Sequence, residues 1–145
     1  MRANYVMWML IAATLFLARP DTCPAQEEPV RLQAMMIKAQ HTPAPSDGRL
    51  EQVEYKLRRV FQFKYYRFIS SGETTIARGE EGEIQLGEGN QLRLKSSGPG
   101  RIQVRWFKGA EALLSTGVAI SRESPFVLGG VPSDDGTLIV VLTEK

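Results

Sequence analysis

Residues 49–70 read RLEQVEYKLRRVFQFKYYRFIS, and within this stretch the hydrophobic period changes from that of a helix to that of a strand. Up to Val60 the apolar residues fall at helical spacing, which predicts one amphipathic helix over about 48–60. From Phe61 onward aromatic and polar residues alternate, which predicts a strand over about 64–70. A helix followed directly by a strand indicates a chain of mixed α+β class.

The helix prediction rests on its apolar stripe, its cap and its charges. The stripe consists of Leu50, Val53, Leu57, Val60 and Phe61. Either Ser46 or Asp47 can cap the helix by accepting backbone N–H bonds from the first turn. Glu54 and Arg58 are four residues apart in the order that favours an ion pair.

Outside this stretch the chain reads as short strands separated by turns. A strand is predicted before the helix, over about 30–38, and a Pro-containing loop separates the two. After residue 70 we expect a turn at 70–73. Strand-like runs then follow at 74–78, 83–86, 91–95, 101–107, 113–121, 126–128 and 138–142.

The sequence predicts further structural detail for three of these runs. The run 101–107 alternates cleanly, which places Ile102, Val104 and Trp106 on one face. A bulge is expected near Gly117 in the next strand. The run 138–142 is apolar on both faces, as in a strand that is covered on both sides. Before it, residues 133–136 read SDDG, a hairpin signal because Asp-Gly tolerates positive φ.

The predicted fold is therefore an α+β domain built mainly from an antiparallel β sheet or a small sandwich. It has about seven to eight short strands, with one amphipathic helix at about 48–60 after the first strand.

The N-terminal segment, residues 1–25, has the pattern of a secretory signal peptide. Arg2 is followed by an uncharged, mostly apolar run from Val6 to Ala18, and small residues precede a cleavage point after Ala25. The run is shorter than the about 20 residues that span a membrane. A buried helix and an uncleaved anchor are the alternatives. We expect residues 1–25 to be a signal peptide and 26–145 to form a single domain. That domain would be exported to the periplasm or secreted, with no transmembrane span in the mature chain.

Composition and charge exclude several classes of function. The 145 residues are 43% hydrophobic and 23% charged, which is ordinary for a globular protein. Removing residues 1–25 leaves 16 basic and 15 acidic residues, so no nucleic-acid partner is expected. With one Cys and one His, the chain can form neither a Cys/His zinc site nor an internal disulfide. We expect no metal and no cofactor.

The segment 56–68 combines cations and aromatic rings without an acidic residue. Such a combination suits anionic polymers, sugars or an anionic membrane surface. The alternative is that the apolar residues are core and the cations a solvated face. The candidate binding residues are Arg58, Arg59, Lys64, Tyr65, Tyr66, Arg67 and Phe68.

Other chemistry-bearing residues have simpler structural explanations. His41 could serve a hydrolase only if the fold brought a nucleophile and a carboxylate to it. The acidic cluster is Glu80, Glu81, Glu83 and Glu88, and it lacks the spacing of a calcium loop. Asp134 and Asp135 lie in the predicted hairpin turn. The sequence contains no Gly-x-Ser-x-Gly, His-Glu-x-x-His or Walker motif, so no catalytic residue is assigned.

Parts of the mature sequence resemble known families. The run LRRVFQFKYYRFISSG at 57–72, the glycine-acid turn before Ile84, and the ending from Gly129 to Val141 resemble small exported bacterial proteins of unknown function. The same ending is similar to the last strands of outer-membrane secretins, in which a turn precedes an apolar strand. These motifs imply a structural likeness and no activity.

The function that we expect from the sequence is binding without catalysis. The chain would be an exported envelope protein, a binding or assembly accessory module whose partner is an envelope protein or an anionic polymer. Two alternatives remain: a sugar- or anionic-polymer-binding module that uses the 56–68 stretch, and an undetected hydrolase. The oligomeric state is left open.

Overall fold

In a computed structural model, the chain forms two four-stranded antiparallel sheets and one helical segment. The structure describes residues 28–122 and 124–145. The strands are β1 (Val30–Gln40), β2 (Tyr65–Ile76), β3 (Glu81–Gly87), β4 (Asn90–Gly98), β5 (Arg101–Lys108), β6 (Glu111–Ala119), β7 (Phe126–Ser133) and β8 (Gly136–Glu144). A 3-10 turn, Gly48–Leu50, leads into helix α1 (Glu51–Val60). The predicted α+β class and the helix after the first strand are confirmed.

The two sheets differ in how they use the chain order. Sheet A has the strand order β2-β1-β8-β7, so its two central strands come from opposite ends of the described chain. Sheet B is the simple meander β3-β4-β5-β6. Every neighbouring pair is antiparallel. Side chains alternate between the two faces of each sheet, as they do in any β-strand.

The main core lies between the inner faces of the two sheets. Sheet A contributes residues such as Leu32, Met36 and Val140, and sheet B contributes Val104 and Trp106, all of them fully buried. The predicted inward face of β5 is thereby confirmed. Alternation allows one layer of apolar residues per sheet to form this core while the outer face of sheet B remains polar.

A second, smaller core lies on the outer face of sheet A, where α1 packs. Leu50, Val53 and Leu57 from the helical segment lie against Ile139 and Val141 of β8. Both faces of β8 are therefore covered, as its apolar sequence predicted. The molecule thus has three layers: helix, sheet A and sheet B.

One residue of the predicted apolar stripe is exposed. Val60 is the last residue of α1 and leaves 64% of its surface accessible, so its assignment to the buried face is wrong. The physical reason lies at the next residue. Phe61 leaves the helical conformation at φ −117° and ψ 137°, and its ring packs against the smaller core instead.

The turn predicted at 70–73 does not exist, because β2 runs through it without interruption. Its residues pair with β1, for example Ser70 with Met36 and Gly72 with Ala34. Ile69 has no pairing partner in β1, so it forms a β-bulge in β2. The bulge moves even-numbered residues of β2 from the outer face, where Phe68 lies, to the inner face.

Gly72 allows a close contact between two strands, although the sequence around it resembles a turn. A Cβ atom at this position would lie 2.5 Å from Cγ2 of Ile84 in β3. At the same place the hydroxyl of Ser70 donates a hydrogen bond to the carbonyl of Leu86. Edge strands β2 and β3 therefore touch, and they close the sandwich on this side. On the opposite side, between β6 and β7, residues such as Leu114 and Phe126 are only half-buried.

Three further details differ from expectation. The bulge in β6 lies at Leu113, opposite Trp106 and Phe107 of β5, and not near Gly117. Strand β7 continues past residue 128 to Ser133: a bulge at Gly130, with φ +98°, shifts the register by one residue, and pairing with β8 continues beyond it. The hairpin at 133–136 is present without positive φ at either aspartate.

The predicted signal peptide, residues 1–25, lies outside the described residues. Among the residues that are described, no helix is both long and apolar enough to cross a membrane.

Candidate binding surface

The seven predicted binding residues lie in one continuous segment that leaves the helix and enters sheet A. Arg58 and Arg59 are in the last turn of α1, Lys64 is in the connection, and the remaining four open β2. The fold therefore keeps them close together. It does not keep them all accessible, because β2 alternates between a buried and an exposed side.

Tyr66 is structural. Its side chain is buried at 5% exposure, and its hydroxyl donates a 2.9 Å hydrogen bond to the carbonyl of Phe61. Burial raises the pKa of this phenol. The bond fixes the point at which the chain leaves α1, so Tyr66 joins helix to sheet and offers little surface to a partner.

Phe68 is half-buried and is covered by an arginine that the sequence did not single out. The Arg49 guanidinium carbon lies 3.7 Å from the centroid of the Phe68 ring, which is a close cation–π contact. Asp47 holds this guanidinium through Nε and Nη2, at 2.9 and 2.6 Å. Asp47 also accepts a bond from the backbone N–H of Arg49, as the predicted cap requires.

Arg58 forms the predicted ion pair with Glu54, at 2.6 Å from Nη2 to Oε1. The same nitrogen donates to the carbonyl of Lys64 at 3.3 Å, and the guanidinium lies 5.7 Å from the Tyr66 ring. Arg58 is therefore occupied with local structure. The side chains of Arg59, Lys64 and Arg67 are exposed. Arg67 lies near Asp135, and its charge helps to lower the pKa of that carboxyl group.

A shallow cleft of about 190 Å³ lies beside this segment. Arg58, Lys64 and Tyr65 line it together with Ser46 and the carboxylate of Glu54. Because Glu54 neutralises Arg58, the cleft has mixed charge and does not select strongly for an anion.

A second concavity, which we call the α1 groove, lies between another face of α1 and the outer face of sheet A, and its volume is about 280 Å³. Its cationic lining consists of Arg49, Lys56, Arg122 and Lys145. Among the described lining residues there is no aspartate or glutamate. Gln33, Gln52, Tyr55 and Thr143 supply hydrogen-bonding groups.

The α1 groove was missed by sequence reasoning because its cations come from three separate parts of the chain. Arg49 and Lys56 belong to the helical segment, Arg122 follows β6, and Lys145 follows β8. The one sequence signal was the spacing of Arg49, Gln52 and Lys56, which places them on one face of the helix. Nothing in the sequence links that face to Arg122 or Lys145.

Several of the other candidates have local structural partners. Glu81 pairs with Arg105 at 3.1 Å, and Glu83 accepts a bond from Gln85. Across residues 28–122 and 124–145, no group of three or more His, Cys, Asp or Glu could hold a metal ion. Asp135 forms an ion pair with Lys38, and that contact lowers the pKa of its carboxyl group.

His41 lies in the loop after β1 and contacts an aromatic ring. Its imidazole centroid is 4.9 Å from that of Phe63, with the planes tilted by 31°. The side chain is exposed.

Comparison of the chain with protein-family models, with curated proteins and with solved structures gives no match.

Proposed function

We propose that the chain is an exported, non-enzymatic binding module of the bacterial envelope, periplasmic or secreted, that contacts a negatively charged partner through the cations around α1. The observation that carries the proposal is the placement of exposed positive charge. Arg59 and Lys64 lie at the C-terminal end of α1, Arg67 follows in β2, and Lys56 lines the α1 groove. The chain as a whole is nearly neutral, so this local concentration can steer an acidic partner to α1.

Export and the absence of catalysis are supported by the sequence. The pattern of residues 1–25 is that of a signal peptide, and no catalytic motif is present. The test of export is fractionation of cells that express the full chain, with N-terminal sequencing of the product. A product that begins at Gln26 outside the cytoplasm supports the proposal, and an unprocessed cytoplasmic chain contradicts it.

Binding is tested by capture from an envelope extract with the processed protein, purified from cells that express the full chain and export it. The informative variant neutralises three exposed cations: Arg59→Gln, Lys64→Gln and Arg67→Gln. Arg58 is left intact, because it pairs with Glu54. The matched control neutralises three exposed cations of sheet B, with glutamine at Arg93, Lys95 and Arg101. Glutamine is used in both variants because glutamate at positions 93 and 95 would face Glu83 and Glu81 across the β3–β4 pair. We expect the α1 variant to lose its captured partner and the sheet B variant to keep it. Equal retention by both variants would contradict the surface.

An anionic polymer is the second candidate for the partner, because the α1 groove combines cations with hydrogen-bonding side chains. Retention on a heparin column at moderate salt would support a polymer, whereas elution in the void volume would exclude it. Since the attraction is electrostatic, retention must fall as salt rises.

A further inference from the structure

The α1 groove has the chemistry of a carbohydrate site as well as that of an anion site. We propose that it binds one acidic sugar residue of an anionic polysaccharide, with the carboxylate on the cations and the sugar ring against Tyr55. This inference rests on the proposed function and names its ligand and its site.

The first argument is charge. Arg49 and Arg122 have carboxylate partners outside the groove, Asp47 at 2.6 Å and Glu144 at 3.5 Å. Among the described residues, the ammonium of Lys56 has no carboxylate at ion-pair distance, and the ligand that complements it is therefore negatively charged.

The second argument is how the cations are held. Asp47 and the ring of Phe68 fix the guanidinium of Arg49. The backbone N–H of Lys145 donates to the carbonyl of Arg31 at 3.0 Å, which ties the end of β8 to β1. Lys56 stands on a regular helix. A site on ordered elements binds with a smaller entropy penalty than one on free loops.

The third argument distinguishes a sugar from a simple anion. Tyr55 lines the groove and is 56% exposed, an unusual placement for a large ring that is not needed in the core. Aromatic faces bind the C–H face of a sugar ring, and the amides of Gln33 and Gln52 both donate to and accept from hydroxyl groups. A bare phosphate could accept hydrogen bonds from these amides, but it would leave the face of the Tyr55 ring unused.

The fourth argument is size. Sites for drug-sized molecules begin at a volume of about 300 Å³. The α1 groove lies just below that limit, at about 280 Å³. It can hold one sugar unit and leave the rest of a polymer outside. Further units would pass along the exposed cations near α1.

The test uses the full chain and three probes in titration calorimetry: oligogalacturonate, its fully methyl-esterified form, and polyglutamate of matched charge. The first has both ring and carboxylate, the second lacks the charge, and the third lacks the sugar ring. We expect oligogalacturonate to bind, the ester not to bind, and polyglutamate to bind about tenfold more weakly or not at all, a difference of about 1.4 kcal/mol.

Variants locate the site. Lys56→Gln and Tyr55→Ala should each weaken oligogalacturonate binding about tenfold, which is the effect of losing one charge-assisted or ring contact. Lys108→Gln, which removes an exposed cation on sheet B, should have no effect. Both residues changed in the groove are exposed or half-exposed, so the variants should fold, and circular dichroism verifies that they do.

Three results would overturn the inference: no binding of oligogalacturonate, equal binding of polyglutamate, or equal weakening by Lys108→Gln and Lys56→Gln. If oligogalacturonate fails to bind while envelope capture still depends on Arg59, Lys64 and Arg67, the sugar site is wrong and the binding module stands. If capture also fails, both proposals are wrong.

Discussion

The indole Nε1–H of Trp106 donates a 3.1 Å hydrogen bond to Oδ1 of Asn90, and both side chains are almost completely shielded from solvent. Asn90 in turn donates to the carbonyl of Gly87 at 3.3 Å, across the end of the β3–β4 hairpin. The largest buried side chain of sheet B is therefore linked to the geometry of a turn. A buried polar pair of this kind is stable only while both partners are present.

Replacing Trp106 by Phe should lower the free energy of unfolding by about 2–4 kcal/mol. The smaller ring leaves a cavity, and Oδ1 of Asn90 loses its donor in a site without water access. Urea unfolding measures the change. The orphaned oxygen is isolated by adding Asn90→Ala: we expect the double variant to lose about 1 kcal/mol less than the sum of the two single variants. Strict additivity would mean that the hydrogen bond contributes nothing.

Glu88 is in a left-handed conformation that its side chain disfavours. Its φ is +53°, and Gly89 follows at +77°. Both turn residues therefore have the positive φ of a type I′ hairpin. Asparagine tolerates this region better than glutamate does. Glu88→Asn should therefore raise stability by about 0.5–1 kcal/mol in thermal unfolding. Glu88→Gln removes the charge and keeps the conformational penalty. A similar gain in both variants would attribute the effect to charge.

The contact between β2 and β3 depends on glycine. Gly72→Ala would place a methyl group 2.5 Å from Cγ2 of Ile84, and we expect a loss of about 1–3 kcal/mol. Gly48→Ala is the matched control, since a Cβ there meets nothing within 4 Å. Adding Ile84→Ala should cost less in the Gly72→Ala background than alone, because it removes the clashing atoms. If Gly72→Ala and Gly48→Ala were equally stable, the two strands would not be in close contact.

Asp47 should make the stability of the fold depend on acid pH. Hydrogen bonds from the side chain and backbone of Arg49 lower the pKa of Asp47 to about 2. A carboxylate with a lowered folded-state pKa stabilises the fold above its unfolded value of about 3.9, and this stabilisation is lost as pH falls through about 2. The stability of the wild type should therefore decline between pH 4 and pH 2.

The matched variant for this prediction is Asp47→Ser, which keeps a capping oxygen but cannot titrate. Chemical unfolding across pH 2 to 5 should give a smaller slope for this variant than for the wild type. An identical slope in the two proteins would show that the Asp47–Arg49 pair contributes no pH dependence.

The elements that sequence reasoning identified are those whose signals are local. Residues 101–107 alternate so regularly that their inward face was predicted in full, and the caps and charges of α1 were equally local. The errors arise where tertiary contacts override a local signal. Ser70 and Gly72 have the composition of a turn, yet β1 supplies them with pairing partners and β3 requires a residue without a side chain.

The exposure of the candidate binding residues could be predicted only in part, for a related reason. A run of cations and aromatics identifies a segment, but alternation decides which members remain accessible: Tyr66 is buried and Arg67 is exposed. The α1 groove could not be predicted at all. It requires Arg122 and Lys145 to approach Lys56, and only the order of strands in sheet A brings them together.

That strand order also constrains how the chain can fold. Met36 pairs with Val140, so the centre of sheet A joins residues that are far apart in the chain, and folding dominated by such pairings is slow. The apolar face of α1 packs partly on Ile139 and Val141 of β8. A chain threaded through a membrane with its N-terminus first would thus lack one of the two central strands of sheet A until β8 had followed. Sheet A would be completed only on the far side, whereas the strands of sheet B are consecutive and could pair before β8 arrives.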